Sequence, residues 1–246
     1  GFFGYLEPDD ISGIPEKPWF IGTLILGALF IIVFNLAAIT TQRSGLSVVS
    51  VATKMSVAIP VLFGIYYYQE NAGILKILGI LLALVAVYLT SIKAKSGIAI
   101  KKKNLIFPIL VFLGSGIIDT TIKFLESGYV NKTDVALFSS TIFSVAGTIG
   151  VIILCIQAAQ GKLRVTGKNI LGGIALGIPN YFSIYFLVLA LRNNGFDSST
   201  VFTINNVAIV LVSTVLGIAL FREKLIPKNW IGIILAVISI LLVANS

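Results

Sequence analysis

Three charged side chains lie inside long apolar stretches of the sequence, where a charge is costly. Lys54 falls well inside the stretch 46–68, and Asp119 and Lys123 fall four residues apart inside 104–125. Insertion scales put the cost of such a charge at about +2.5 to +3.5 kcal/mol, so each is a candidate for function. Lys54 could hold a carboxylate or another anionic group. Asp119 could hold an amine or carry a proton, since the chain has no histidine to do so.

Each of these charges also has a purely structural interpretation. Asp119 and Lys123 share one face of a helix, so they could neutralise each other and stabilise the bundle. Lys123 could also extend its ammonium towards Glu126 at the helix end. Lys54 has no acidic neighbour on its own segment. It is therefore predicted either to line a polar cavity or to form a structural ion pair with Asp119.

Neutral polar residues in the apolar segments add to the candidate cavity. Asn205 and Asn206 lie in the middle of the segment 198–221. Neighbouring side chains on a helix point about 100° apart, so the two amides can hardly serve one interface. The alternative is interhelical hydrogen bonding, which contributes about 0.6 kcal/mol on average. Four further polar residues are weaker candidates for the same cavity: Asn35, Asn180, Tyr181 and Tyr185.

The elements that position these residues are apolar segments long enough to cross a membrane. The chain is 57% hydrophobic and 11% charged, whereas a soluble domain carries roughly 25% charged residues. Eight segments approach the roughly 20 residues of a membrane crossing: 18–41, 46–68, 74–92, 104–125, 134–158, 169–191, 198–221 and 226–244. Lipid offers backbone groups no hydrogen-bond partner, so these segments must be helices. The predicted fold is an all-α polytopic membrane helix bundle.

Composition also excludes several classes of function. Without histidine, a serine triad lacks its base and the commonest metal ligand is missing. No phosphate-binding loop or dinucleotide fingerprint occurs, so no enzyme, metal or cofactor is predicted. The net charge of +8 comes from Lys and Arg in short loops. This favours a membrane protein with positive cytoplasmic loops over a nucleic-acid surface. The predicted partners are a small-molecule substrate and membrane lipid, and the oligomeric state is left open.

An internal repeat relates the two halves of the chain. Placing Glu70 over Glu223 sets an offset of 153 residues (223 − 70). The most specific matches are Gly64 with Gly217, Glu70 with Glu223, and Gly79 with Gly232. The same offset places Asn205 and Asn206 opposite residues 52 and 53, next to Lys54. Many secondary transporters are built from two such repeats around a site at the membrane midplane.

The motifs around each glutamate carry a resemblance to a known family. In the first copy they are Leu36-Ala37-Ala38, Ser47 to Lys54, Pro60-Val61-Leu62, Gln69-Glu70 and Gly79 to Leu82. In the second copy they are Leu189-Ala190-Leu191, Ser199 to Asn206, Arg222 to Leu225 and Gly232 to Leu235. In this order they resemble the EamA-type repeat of the drug/metabolite transporter superfamily. That family has ten helices in two five-helix repeats of inverted topology. The family pattern has proline in the fourth helix of each repeat, and here the second copy has Ser213 opposite Pro60.

The resemblance implies a particular division of the chain. Residues 1–92 form an incomplete first repeat with three helices, and residues 104–246 form a second repeat with five. The chain begins at Gly1 and its single methionine is Met55, so two N-terminal helices are expected to be absent; a natural eight-helix protein is the competing interpretation. An odd number of crossings per repeat inverts the second repeat, which places a pseudo-twofold axis in the membrane plane.

The resemblance implies a secondary transporter that moves a small metabolite by alternating access. An amino-acid-like substrate fits the charge pair of Lys54 and Asp119, with Asn205 and Asn206 orienting it. A bacterial inner membrane is the expected location. The competing hypothesis is a non-transporting structural or regulatory membrane protein with a dry core. Three smaller expectations concern local structure: Glu70 and Glu223 cap the next helix, Gly173 and Gly177 mark close helix packing, and Tyr66 to Tyr68 form an interfacial belt.

The orientation in the membrane follows from the basic loops. The segments 93–103 and 162–168 are rich in Lys and Arg and lie on the same side, because two crossings separate them. The positive-inside rule therefore places both in the cytoplasm and Ser246 outside, whereas the resembled family usually keeps its C-terminus inside. A reporter fused after Ser246 decides between them: we expect alkaline phosphatase activity there, and fluorescence from a cytoplasmic green reporter would reverse the orientation.

Overall fold

A computed structural model describes residues 12–91, 105–161, 166–192, 195–221 and 225–245. Helix accounts for 87% of these residues, and they form no strand. The helices are α1 (Phe20–Ser44), α2 (Leu46–Met55), α3 (Ala58–Tyr67), α4 (Ile74–Ser91), α5 (Ile106–Gly128), α6 (Val135–Ala159), α7 (Gly167–Leu191), α8 (Ser198–Phe221) and α9 (Pro227–Ala244). Single turns of 3-10 helix precede α1 and α6, at Ile14–Glu16 and Lys132–Asp134.

Seven segments of the described chain are long and apolar enough to cross a membrane. Helices α2 and α3 together make one of them, Val48–Tyr67, and α4 is apolar but slightly shorter than the seven. The helix bounds agree with the eight predicted segments to within a few residues, because the lipid-spanning length sets them. The all-α fold is confirmed, and the apolar helices indicate an integral membrane protein.

The second span is broken in its middle, between α2 and α3. The break falls at Ser56 and Val57, just before Pro60. Proline has no N–H, and its ring clashes with the carbonyl four residues before it, which here belongs to Ser56. That carbonyl instead accepts a hydrogen bond of 2.9 Å from the backbone N–H of Ile59. Helix α8, which has Ser213 at the position opposite Pro60 under the 153-residue offset, is continuous.

The chain forms two compact units. One comprises Gly1–Ile31 and Phe124–Arg192, and the other comprises Ile32–Lys123 and Asn193–Ser246. In the first, α6 packs against α7. In the second, α4 packs along α9, and α8 contacts α3, α4 and α9. The predicted division into repeats partitions the chain differently, by internal likeness rather than by compactness, and stays a prediction.

Helices α4 and α9 approach each other closely at two glycines. A Cβ added to Gly79 of α4 would lie 2.5 Å from Cγ2 of Val243, near the end of α9. A Cβ added to Gly232 of α9 would lie 2.8 Å from Cγ2 of Thr90, near the end of α4. Ser239 Oγ also donates a 2.8 Å hydrogen bond to the carbonyl of Gly79. The two helices are therefore antiparallel, and each begins against the end of the other.

Two local expectations concern the tyrosine run and the glycine pair. The run Tyr66 to Tyr68 lies at the end of α3, which stops at Tyr67, and the interfacial belt stays a prediction. The expectation of close packing at Gly173 and Gly177 is wrong among the described residues, because an added Cβ at either position meets nothing within 4 Å. Both glycines lie in the first half of α7, which is exposed. A GxxxG spacing allows a close approach but does not supply the neighbouring helix.

Candidate functional site

Lys54 lies in the last turn of α2, directly before the break in the second span. Its side chain is half-buried. The C-terminal end of a helix carries partial negative charge, which stabilises a cation placed there. The ion pairs of the described residues include Lys17–Asp134, Lys76–Asp197 and Arg192–Glu126, and Lys54 takes part in none of them. Lys54 is thus a positive charge inside a membrane span without an ion-pair partner among the described residues.

Asp119 is half-buried on α5, one turn beyond the point where α5 meets α3. That point is marked by Gly116, where an added Cβ would lie 2.3 Å from Cδ1 of Ile59. Asp119 also belongs to none of the ion pairs in the described part of the chain. The ammonium of Lys123 instead lies 5.5 Å from the ring centroid of Tyr68. The structure therefore gives no support to the neutralisation of Asp119 by Lys123.

Lys54 and Asp119 lie at different depths in the second compact unit. Helices α3 and α5 run in the same direction, because the single span α4 separates them. Relative to the contact between Ile59 and Gly116, Lys54 precedes by five residues and Asp119 follows by three. Eight residues of helix correspond to about 12 Å along the axis. Lys54 and Asp119 do not form an ion pair with each other.

Asn205 and Asn206 mark a transition along α8. The residues Ser198 to Thr203 at its start are all buried, whereas Val212 to Ala219 are exposed or half-buried wherever their side chains are described. The two asparagines are half-buried at the boundary. Asn206 Nδ2 donates a 3.2 Å hydrogen bond to the carbonyl of Phe202 in its own helix. The side chain of Asn205 forms no hydrogen bond within the described residues, so its amide is available to a ligand.

The weaker candidates are distributed over both units. Asn180, Tyr181 and Tyr185 lie on α7 in the first unit, and all three are half-buried. The rings of the two tyrosines stack at 6.2 Å with an interplanar angle of 17°, and the Tyr181 hydroxyl accepts a 3.4 Å hydrogen bond from Ser140. Asn35 lies on α1 in the second unit, on an exposed face. The structure thus brings Lys54, Asp119 and the asparagines of α8 into one unit and places the α7 group in the other.

Glu70 caps a helix, as predicted from the sequence, but the helix that it caps is not the predicted one. Its carboxylate accepts hydrogen bonds from the backbone N–H groups of Ser198, at 2.8 Å, and Ser199, at 2.9 Å, and from the Ser198 hydroxyl. It therefore caps α8 rather than the following helix α4, which corrects the expectation. Gly64 leaves space for it, because an added Cβ there would lie 2.9 Å from Glu70 Oε2. The counterpart Glu223 lies outside the described residues.

An ion pair beside Glu70 was not predicted from the sequence. The ammonium of Lys76 lies 2.5 Å from a carboxylate oxygen of Asp197, with the lysine side chain 1% exposed and the aspartate 43% exposed. The available signal is a lysine in the third position of an otherwise apolar helix. Its partner is 121 residues away in the chain. Glu70 and Lys76 together fasten the connection between α3 and α4 to the start of α8.

Two more ion pairs, in the first unit, were also not predicted from the sequence. Arg192 Nε lies 3.4 Å from Glu126 Oε1. Lys17 Nζ lies 3.1 Å from Asp134 Oδ2, to which Trp19 Nε1 also donates at 3.3 Å. Both pairs hold the short connection between α5 and α6. Lys17, Lys76 and Arg192, near the ends of spans, are thus paired, in contrast to Lys54 and Asp119 within them.

Comparisons with known proteins establish the fold and leave the function open. No family model matches the chain. An uncharacterized protein of Haemophilus influenzae is 28% identical over 240 residues, which cover 97% of this chain and 79% of that protein. A crystal structure of another protein matches this chain with a TM-score of 0.72 and 13% sequence identity. The match covers 95% of this chain and 82% of the chain in that structure. This chain has the same fold as that structure.

Proposed function

We propose that the chain is a secondary transporter that moves a small metabolite across a membrane by alternating access, and that it is of the EamA type within the drug/metabolite transporter superfamily. The observation that carries this proposal is Lys54, a cation at the end of a half-helix in mid-span with no ion-pair partner among the described residues. A structural cation at this depth would need a partner. Broken helices near the midplane form the substrate sites of many transporters.

The contacts between α4 and α9 support an inverted repeat. The pair Gly79 and Val243 becomes the pair Gly232 and Thr90 when 153 is added to the first number and subtracted from the second. Contacts that exchange in this way are isologous, as across a twofold axis. For two antiparallel helices that cross a membrane, that axis lies near the membrane plane. Repeats related in this way provide two equivalent gates for alternating access.

The geometry suggests distinct roles for the charged and neutral groups. Lys54 binds a carboxylate or another anionic group of the substrate, and Asp119 binds an amine or carries a coupled proton. Asn205 and Asn206 orient the ligand at the point where α8 passes from its buried to its exposed half. A zwitterionic, amino-acid-like metabolite satisfies both charges. The bacterial inner membrane is the location that we propose, with a small molecule and lipid as the partners.

A water-accessibility scan tests the proposal against a dry-core structural or regulatory protein. In a Cys155→Ser background, single cysteines replace Lys54, Asp119 and Asn205 in turn. We expect all three to react with a hydrophilic maleimide, because a substrate path is wet. The matched control is Val207→Cys, two residues from Asn205 and fully buried, which should stay unlabelled. Silence at all three test positions would favour the dry, non-transporting protein.

A further inference from the structure

Helix α8 is packed at one end and open at the other. The buried start, Ser198 to Thr203, contrasts with the exposed stretch Val212 to Ala219. The 153-residue offset relates α3 to the second half of α8, and it relates the start of α8 to α2. The contact between α3 and the start of α8 would therefore have a counterpart between α2 and the second half of α8. At that second half the described side chains are exposed or half-buried instead of packed. We call the start of α8 the closed end of the second unit and its second half the open end.

The closed end carries a group of charged contacts, which we call the latch: Glu70, Lys76 and Asp197. Glu70 holds the first two backbone N–H groups of α8, at Ser198 and Ser199. Lys76 pairs with Asp197, the residue directly before that helix. The ammonium of Lys76 is buried, so its pairing matters more than that of a solvated surface lysine. These contacts bind the start of α8 to the connection between α3 and α4.

Two of the three positions equivalent to the latch carry no charge, whereas the counterpart of Glu70 is Glu223, which lies outside the described residues. The offset places Asn229 at the position of Lys76, and Ser44 at that of Asp197. Asn229 Nδ2 donates to the carbonyls of Leu89 at 2.9 Å and Thr90 at 3.2 Å, so it caps the end of α4 instead of reaching Ser44. The Ser44 hydroxyl is buried without a hydrogen-bond partner in the described structure. The repeat is thus similar in backbone and different in charge at its two ends.

We propose that the latch makes the closed start of α8 the resting state in the absence of substrate, and that it acts on one side because its Lys76–Asp197 pair has no charged counterpart at Asn229 and Ser44. The inference rests on the proposed alternating-access function and adds a direction to it. Two equivalent gates would be populated equally in a symmetric repeat. An interaction made in only one of two states shifts the population towards that state. The neutral pair of Asn229 and Ser44 provides no such interaction at the other end.

The test replaces Lys76 and Asp197 with the residues found at the equivalent positions of the open end, Asn and Ser. The double variant Lys76→Asn and Asp197→Ser is combined with a reporter cysteine at the buried Thr203, in the Cys155→Ser background. In nanodiscs, where both membrane faces are accessible, we expect labelling of Thr203→Cys by a hydrophilic maleimide to accelerate about tenfold, which corresponds to a population shift of about 1.4 kcal/mol. Labelling of a second reporter, Ser213→Cys at the open end, should slow.

Two further variants keep the test decisive. The exchange Lys76→Asp with Asp197→Lys retains an ion pair and should keep Thr203→Cys slow. Glu70→Gln keeps the shape of the side chain and removes its charge, so it should accelerate labelling of Thr203→Cys. This variant provides the test if size-exclusion chromatography shows that the double variant is not folded. An unchanged Thr203→Cys rate in folded latch variants would overturn the latch. Silence at Lys54, Asp119 and Asn205 in the accessibility scan would overturn the proposed function instead, because that readout does not involve the latch.

Discussion

Lys54→Met should reduce substrate transport roughly ten- to hundredfold and leave the protein folded. Methionine keeps most of the apolar stem and removes the ammonium, so the change isolates the charge. A hydrogen bond to a charged group contributes about 1.5–3 kcal/mol, which corresponds to this range of affinity. The measurement is uptake of isotope-labelled amino acids and related metabolites by proteoliposomes, with the parent protein used first to find a transported compound.

The matched control for Lys54 is Lys123→Met, the same substitution on α5. The ammonium of Lys123 lies over the Tyr68 ring, and such a contact contributes about 0.5–1 kcal/mol at an accessible site. We expect transport by Lys123→Met to stay within a few-fold of the parent. If Lys54 were a buried structural ion, its variant would lose about 3–5 kcal/mol of stability. Normal transport by a stable Lys54→Met protein would exclude the binding role.

The positions of the helices were predictable because lipid imposes their length and apolarity. The segment 198–221 has the same bounds in the sequence prediction and in the structure. The break before Pro60 fits the local chemistry of proline, but Pro179 lies inside the continuous helix α7, so proline alone does not determine where a span breaks. Gly79 and Gly232 were visible as repeat positions, and the structure adds that each admits the opposite helix at close range. These features are local or periodic, and a single sequence records both.

The partners of the charged residues were not predictable in the same way. Glu70 was expected to cap the helix that follows it, yet its carboxylate reaches Ser198, 128 residues away. Lys76 pairs with Asp197 across a similar distance in sequence. The choice of partner depends on which helices pack together, and apolar lipid-facing sequence carries little of that information. Gly173 and Gly177 show the converse, a local packing motif without a neighbour among the residues that the structure describes.

The charged residues near the ends of spans differ in their pairing from the two charges in mid-span. At the ends of spans, Lys76 and Arg192 are paired with carboxylates over short distances. In mid-span, Lys54 and Asp119 have no such pairing in the described chain. A protein that needed these two charges for stability alone would be expected to join them, since an isolated charge in lipid is costly. Their separation, by about 12 Å along the helix axes, fits a ligand that carries both complementary charges.

Arg192→Met should be among the most destabilising substitutions in the first unit. The Arg192 and Glu126 side chains are 14% and 6% exposed, so the variant leaves a buried carboxylate without its cation. The guanidinium also donates to the carbonyl of Val130, which would lose that donor. Removing one partner of a buried pair costs about 3–5 kcal/mol. The measurement is thermal unfolding in detergent, where a decrease of roughly 6–20 °C in Tm corresponds to this loss at about 2–4 °C per kcal/mol.

Lys17→Met is the matched control, because it removes one cation from the neighbouring pair. Lys17 is 33% exposed and Asp134 is 11% exposed, and Asp134 keeps its hydrogen bond from Trp19. A partly exposed pair contributes about 0–1 kcal/mol, so Tm should change little. Adding Glu126→Gln to Arg192→Met should recover part of the loss, since the unpaired charge is then gone. Equal Tm values for Arg192→Met and Lys17→Met would show that burial of the Arg192 pair does not govern the stability of this unit.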